Sequence, residues 1–301
     1  MAQNVTVQNV YIETYESIVR HLAQQMTSRV RPWCMEKGVS SHGHNWERLG
    51  TREAVVKTAV GGPTNGGAAT VATPEQDYPF SRRRSTPGTW HTGDVTEVED
   101  INQVLIDPNS NIAQAQAYAM QRSIDDELFD AAERDADDGN GGVVAFPAAQ
   151  AIGDGTSSIN FDIVTQVTEI FMNNDIDPDI QKVMFISPAQ ARKLLQLTEA
   201  TSGDYNALMP LTSKGYIESW MGYSWVVSTR LNLGSTLGAG TVNCLCMTRK
   251  ALGLQVNQEV NAKVAQDPTI SFAWRIYCEA TFGAVRVEDE HIVKIDLTET
   301  I

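Results

Sequence analysis

The fold is decided by the longest helical pattern in the chain, which reads DPNSNIAQAQAYAMQRSIDDELFDAAERDADDGN over residues 107–140. Asp107 is a favoured helix cap and Pro108 a favoured first residue, whereas Gly139 is typical of a helix end. Apolar and small side chains recur between these signals, so the sequence predicts one helix over about 108–137. At 1.5 Å per residue this helix is about 45 Å long, which predicts a strut against which other elements pack.

The second half of this predicted helix is acidic, and its carboxylates are Asp125, Asp126, Glu127, Asp130, Glu133 and Asp135. Paired carboxylates can serve acid–base or metal chemistry. No positioned histidine, asparagine or glycine-bearing loop accompanies them, however, and an acidic helix face is far more often a solvated surface. The pattern therefore favours a surface of the helix over a catalytic site.

The middle of the chain alternates between helix and strand patterns. A helix is predicted around 163–171, followed by a short buried strand over 182–186, which reads KVMFI. Ser187-Pro188 then opens a second helix as its cap and first residue, and a further strand is predicted over 223–228. This part is expected to be an α/β unit.

The C-terminal part is rich in strand patterns. Ile270, Phe272, Trp274 and Ile276 alternate with more polar neighbours. This period of two predicts a half-buried strand that places the four side chains on its inner face.

The first forty-five residues are predicted to form an arm. Tyr15, Ile18, Val19, Leu22 and Met26 follow the spacing of a short amphipathic helix. Because no neighbouring element is predicted, the apolar stripe must be buried against the chain's own body or against another copy.

The next segment, 46–94, contains few large aliphatic residues and is interrupted by a glycine-rich stretch at 61–67. Such a segment cannot build its own core. A long two-stranded projection that docks on other copies is the simplest interpretation, and a flexible linker or a disordered insertion is the alternative.

Charge and hydropathy restrict the class of protein. The 301 residues have a net charge of −14, with +2 in residues 1–94 and −16 in the remainder. A body this acidic is a poor match for nucleic-acid phosphates or an anionic membrane, so sequence-specific DNA binding is not expected. No apolar run has the length of a spanning helix and the N-terminus lacks a signal-peptide pattern, which predicts a soluble, unexported chain.

No residue pattern indicates an enzyme. The four cysteines are Cys34, Cys244, Cys246 and Cys278. Cys244 and Cys246 lie in one apolar run and are expected to be reduced core residues. Cys34 with His42 and His44 matches no zinc spacing. Phosphate loops, dinucleotide fingerprints and nucleophile elbows are missing from the sequence, so we predict no cofactor, no metal and no catalytic residues.

Several short motifs follow one another in a fixed order. They are Trp46-Glu-Arg-Leu-Gly50, Trp90-His91, Asp107-Pro108, Ala117-Tyr-Ala-Met-Gln-Arg122-Ser-Ile-Asp125, Phe185-Ile-Ser-Pro-Ala-Gln190, Trp220-Met-Gly-Tyr-Ser-Trp225 and Phe282-Gly-Ala-Val-Arg-Val287. Their order and spacing cover nearly the whole chain. In this arrangement the sequence resembles the major capsid proteins of tailed bacteriophages that have the Hong Kong 97 fold.

The resemblance implies an α+β Hong Kong 97-type capsid fold with four parts and a long spine helix. These are an N-terminal arm at 1–45, an extended loop at 46–94, a peripheral domain formed by 95–150 and 241–301, and an axial domain at 151–240. The long helix, here called the spine helix, would belong to the peripheral domain.

The resemblance also implies a structural role. The chain would self-assemble into hexamers and pentamers of an icosahedral shell around the double-stranded DNA of a tailed phage. It would be made and assembled in the host cytoplasm and would end in the virion capsid. Its partners would be other copies of itself, a portal protein, a separate scaffold protein and packaged DNA bound without sequence specificity, and no membrane. Whether a decoration protein binds is left open.

The candidate inter-subunit contacts come from the loop and the spine helix. They are Arg82, Arg83, Arg84, Trp90, Asp125, Asp126, Glu127 and Asp130. We expect the three arginines to face an acidic surface of a neighbouring copy. Two rival hypotheses are an encapsulin-like protein compartment and, in another class, a cytosolic enzyme that uses the acidic helix with His42 and His44.

Overall fold

The computed structural model describes residues 22–54, 77–97, 109–197, 217–231 and 240–299. The helices are α1 (Asn109–Glu133), α2 (Phe161–Asn173) and α3 (Pro188–Leu194). The strands are β1 (Met35–Gly38), β2 (His44–Leu49), β3 (Phe80–Ser85), β4 (Gly88–Thr96), β5 (Ala136–Asp137), β6 (Val143–Val144), β7 (Ala151–Ile152), β8 (Lys182–Ile186), β9 (Ser219–Trp220), β10 (Tyr223–Val227), β11 (Thr241–Thr248), β12 (Leu252–Asp267), β13 (Ala273–Arg286) and β14 (Ile292–Thr298).

A four-stranded sheet, in the order β1-β12-β13-β4, forms one layer of the molecule. β12 and β13 make a long antiparallel hairpin, β4 pairs antiparallel with β13, and β1 runs parallel to β12. Along β13 the buried side chains alternate with more exposed ones, and the buried set is Ile276, Cys278, Ala280 and Phe282. The spine helix α1 packs on this face, where Gln116 Nε2 donates to the Ile276 carbonyl at 3.4 Å.

The spine helix confirms the strongest sequence prediction, although it ends earlier than expected. Its buried side follows the helical spacing of Met120, Ile124 and Leu128. The helix ends at Glu133 instead of 137, because Ala136–Asp137 pairs with Val143–Val144 as a small hairpin. Aspartate side chains accept hydrogen bonds from the turn amides of this hairpin, and such local bonds compete with helical ones.

A six-stranded sheet, in the order β7-β14-β11-β8-β10-β9, forms the other layer. All five residues of β8 are buried, as its uninterrupted apolar run predicts. The helix caps are the expected ones at α3, where Ser187 Oγ accepts from Gln190 N at 3.3 Å. At α2 the cap is Asn160, whose Oδ1 accepts from Ile163 N at 2.9 Å. The predicted α/β pattern of this part is confirmed.

The six-stranded sheet takes its strands from both sides of the boundary at 240/241 that the resemblance implies. Strands β11 and β14, which follow this boundary, pair in the same sheet as β8, which precedes it. β4 likewise continues past residue 94, the predicted end of the loop, as an edge of the four-stranded sheet. Period-two patterns predict a strand and its inner face, but they contain no information about which sheet the strand joins.

The strand predicted around residue 270 begins later than expected. Ile270 and Phe272 lie in the turn between β12 and β13, and Phe272 is 61% exposed. The inner face of β13 begins with Ala273 and Ile276 instead. Part of the segment whose alternating pattern predicted a strand is therefore a turn with exposed apolar side chains.

Most of the predicted N-terminal helix, including Tyr15, Ile18 and Val19, lies outside the described residues. Its last two members, Leu22 and Met26, are not helical and are 88% and 54% exposed. Further along the chain, a 3-10 turn at Arg31–Trp33 is followed by β1.

The predicted two-stranded projection is present at its base, where β2 and β3 pair antiparallel from His44 opposite Ser85 to Leu49 opposite Phe80. The base is fixed by Trp46, which packs on Gly253 of β12. A Cβ at Gly253 would lie 2.6 Å from the indole ring, so only glycine permits this close approach. The glycine-rich stretch at 61–67, further along the loop, lies outside the described residues.

Candidate inter-subunit surfaces

The three consecutive arginines lie on β3 and point in alternate directions, as in any strand. Arg83 is buried and only 6% exposed, and its Nη2 lies 3.0 Å from Asp289 Oδ2 of the same chain. Arg82 faces outward, with its Nε 3.7 Å from Glu47 Oε1. The expectation that all three arginines face a neighbouring copy therefore needs correction at Arg83, whose partner is internal.

Arg83 belongs to a buried triad that sequence reasoning missed. Asp289 also accepts from Arg286 Nε at 2.6 Å, so that one carboxylate serves two guanidinium groups. Arg286 has no exposed surface and also donates to the carbonyls of Ala132, Arg134 and Val144. The triad thus joins the base of the β2–β3 hairpin to β13 and to the C-terminal end of the spine helix. Residues 83 and 289 are too far apart in sequence for a local pattern to reveal their contact.

The most buried acid of the spine helix, Asp125, also has partners within the chain. Its side chain accepts hydrogen bonds from the backbone amides of Arg29 and Val30 at 3.0 and 3.2 Å. Gln25 Nε2 donates to it at 2.5 Å, and Ser28 Oγ donates as well. Asp125 therefore binds the segment that leads from the arm into the body, and its predicted contact with a neighbour is not compatible with this burial.

The other acids of the helix are paired within the chain as well. Asp126 binds Arg230, whose Nε donates to Oδ1 at 2.7 Å. Glu127 and Asp130 both bind Arg134, at 2.6 and 2.7 Å. The face is thus less a free solvated surface than the sequence suggested. The Asp130–Arg134 spacing of four residues is a signal that the sequence does contain.

Trp90 lies on β4, and its ring is stacked on Phe282 with centroids 5.8 Å apart and planes 4° from parallel. It is 40% exposed at the edge of the four-stranded sheet. Of the eight candidates it is the one aromatic side chain, and it remains partly open to a partner.

Two projections display apolar side chains that the single chain does not cover. At the far end of the β2–β3 ladder, Leu49 and Phe80 are directly opposite each other and are 60% and 77% exposed. At the tip of the β12–β13 hairpin, Val264, Ile270 and Phe272 are also exposed. Isolated exposed apolar residues are ordinary, but grouped pairs on projecting elements are typical of contact surfaces.

The backbone at the second tip is strained. Ser271 and Phe272 have φ values of +47° and +56°, in the left-handed region that non-glycine residues rarely adopt. Strain of this kind has a cost of about 1–3 kcal/mol per residue and is concentrated at functional sites. The turn therefore presents an exposed aromatic ring at a conformational cost.

The described residues contain no group of three or more His, Cys, Asp or Glu side chains that could bind a metal ion. The four cysteines are all buried and none is in a disulfide, and the core position predicted for Cys244 and Cys246 is confirmed. Burial raises the pKa of the Cys34 and Cys244 thiols to about 12, which disfavours the reactive thiolate. Within the described ranges, no helix is both long and apolar enough to cross a membrane.

Comparison with known proteins agrees with this geometry. A family model described as phage capsid protein matches residues 7–299. A search of curated proteins found no match.

Solved capsid structures have the same fold. The capsid structure of Cyanophage P-SCSP1u superposes with a TM-score of 0.73 at 12% identity, covering 97% of this chain and 94% of that chain. A structure from Mycobacterium phage Che8 gives 0.69 at 14% identity, covering 95% and 97%. The Cyanophage Pam1 capsid gives 0.69 at 12% identity, covering 99% of each chain. At these identities the similarity shows the fold, which is the α+β Hong Kong 97 type.

Proposed function

The chain belongs to the phage capsid protein family, and from this premise we propose that it is the major capsid subunit, which assembles as hexamers and pentamers into an icosahedral shell around double-stranded DNA. The family and fold point to a structural protein. The virion capsid is therefore its place of action, and we propose the host cytoplasm as the place of synthesis and assembly.

One observation carries the proposal at the level of residues. The two projecting hairpins end in exposed apolar side chains, Leu49 and Phe80 on one and Ile270 and Phe272 on the other. Burying one large apolar side chain stabilises a contact by about 1.5–3 kcal/mol. A single subunit leaves this free energy unused, whereas a closed shell of identical copies can bury every such surface by symmetry.

We propose three further kinds of partner. A portal protein and a separate scaffold protein would act during assembly. Packaged DNA would be contacted without sequence specificity, because a chain with a net charge of −14 repels phosphates instead of binding them tightly.

Electron microscopy of the expressed protein tests the proposal. The chain is expressed alone and together with the products of the genes that flank it, and the particles are separated by sedimentation. We expect closed shells of uniform size, and shells recovered from infected cells should contain genomic DNA. Shells that contain a cargo enzyme instead would indicate an encapsulin-like compartment. A chain that stays a single subunit under every condition would contradict the proposal.

A further inference from the structure

A group of polar side chains lies where the spine helix meets the six-stranded sheet. Glu133, the last residue of α1, accepts a hydrogen bond from Asn243 Nδ2 of β11 at 2.5 Å. Asn243 is only 1% exposed, and its cross-strand neighbour on β14 is Asp296. The end of the helix therefore contacts the sheet through the Glu133 carboxylate. Its partner, Asn243, lies opposite a second carboxylate, that of Asp296.

Positive charge at this contact is scarce. Lys294 Nζ lies 3.4 Å from Asp296 Oδ1, which is longer than the 2.7–2.9 Å typical of a charged hydrogen bond. Asp296 Oδ1 is buried and has no hydrogen-bond partner among the described residues. The Asp296 carboxylate thus has one ammonium group nearby, at a distance too long for a strong charged hydrogen bond.

The remaining groups around the contact do not neutralise it. Asp130, one turn earlier on the helix, adds a further negative charge and is itself bound to Arg134. β11 contributes the buried thiol of Cys244, which experiences the fields of both Glu133 and Asp296. Every other named neighbour is negative or neutral, apart from Lys294 and the already paired Arg134.

We propose that Glu133, Asn243, Asp296 and Lys294 form a proton-linked joint between the spine helix and the six-stranded sheet, which is tight when one carboxyl is protonated and looser when both are ionised. Like charges repel more strongly where partial burial lowers the effective dielectric constant. Protonation of one of the two carboxyls removes this repulsion and leaves the bond to Asn243 in place.

Electrostatics at the two acids agree with the geometry. Burial raises the pKa of the Glu133 carboxyl, and the Asp296 charge raises it further against the opposing effects of Asn243 and Lys294. Burial likewise raises the pKa of Asp296, against the opposing effect of Lys294. Because the folded chain binds these protons more tightly than the unfolded chain does, the joint should stabilise the fold in acid. This stabilisation should be lost as pH rises from the ordinary carboxyl range through the raised values.

The test compares urea unfolding of the full chain at several values between about pH 4 and about pH 7, a span that covers ordinary and raised carboxyl titration. The protein is kept dilute enough to sediment as single subunits, so the result is independent of shell formation. For the wild type we expect the urea midpoint to fall across this span. Glu133→Gln keeps the acceptor for Asn243 and should reduce this fall by about half or more, with a midpoint above the wild type at neutral pH.

Two further variants make the test specific. Lys294→Met removes the ammonium group and should steepen the fall of the urea midpoint with pH. This effect is opposite in direction to that of Glu133→Gln, and a merely structural role of Glu133 would not produce it. Glu169→Gln, on the exposed face of α2, is the matched control and should follow the wild type. If Glu133→Gln and Asp296→Asn both keep the pH dependence of Glu169→Gln, the proposal is wrong. Backbone hydrogen exchange at residues 130–137 should rank the variants in the same order as the urea midpoints do. In the wild type these residues should open faster at neutral pH than in acid.

Discussion

The six-stranded sheet and the β2–β3 hairpin differ in where the partners of their side chains lie. In the sheet, β8 is buried throughout and the adjoining helices are capped by their own flanking residues, Asn160 and Ser187. The hairpin instead depends at its base on Asp289, two hundred residues away in sequence, and leaves Leu49 and Phe80 uncovered at its far end. In the proposed assembly, the difference separates a region that is complete within one chain from one whose surface is completed by contact with other copies.

The largest effect should come from the buried triad at the base of the hairpin. Asp289→Asn leaves Arg83 and Arg286 buried without a carboxylate, and we expect the free energy of unfolding to fall by about 3–5 kcal/mol. Glu290→Gln is the matched control, since this adjacent acid binds Arg48 at the surface and should contribute about 0–1 kcal/mol. Chemical denaturation of both variants gives the answer. Equal effects would show that the base of the hairpin does not depend on the triad.

A smaller effect is expected where the arm meets the spine helix. Asp125→Asn weakens four hydrogen bonds to a buried carboxylate, and we expect a loss of about 2–3 kcal/mol. Asp126→Asn breaks a partly exposed pair with Arg230 and should cost about 0–1 kcal/mol. Trypsin cleavage after Arg29 should accelerate in the first variant alone, whereas the bond after Arg31 resists trypsin because Pro32 follows it. If cleavage is unchanged, Asp125 does not bind the segment in solution.

The smallest effect on stability should come from the uncovered end of the hairpin. Leu49→Ser combined with Phe80→Ser should change the free energy of unfolding by less than about 0.5 kcal/mol, because neither side chain is buried in the subunit. Assembly should nevertheless be impaired, as measured by sedimentation of particles. Val143→Ser, at an exposed apolar residue of β6 that belongs to neither projection, should assemble normally. A double variant that also assembles normally would remove this surface from the proposed contacts.

Local sequence patterns predicted the elements that are complete in themselves. The strand at 182–186 and the Ser187 cap were found because a short apolar run and a capping residue act over a few neighbouring positions. The spine helix was found for the same reason, apart from its last turn, where aspartates and Gly139 favour a hairpin.

Long-range pairing was not predictable from such patterns. Nothing near Arg83 indicates that its partner is Asp289, and the alternation in β11 and β14 fits either sheet equally well. The eight candidate contact residues were chosen because they are charged or aromatic. Charge alone could not separate Arg83 and Asp125, which the fold buries, from Arg82, which it exposes.

The parallel pairing of β1 with β12 has a consequence for how the chain must be made. Met35 is opposite Gly253, so the partner of the first strand leaves the ribosome more than two hundred residues later. At about 5–20 residues per second this delay is about 10–40 s. Arg83 must wait almost as long for Asp289, which follows it by 206 residues. Throughout synthesis the N-terminal third therefore has an open strand edge and an uncompensated guanidinium group. On a transcript read by many ribosomes at once, neighbouring nascent chains expose the same edge, so correct folding depends on each chain finishing before two such edges meet.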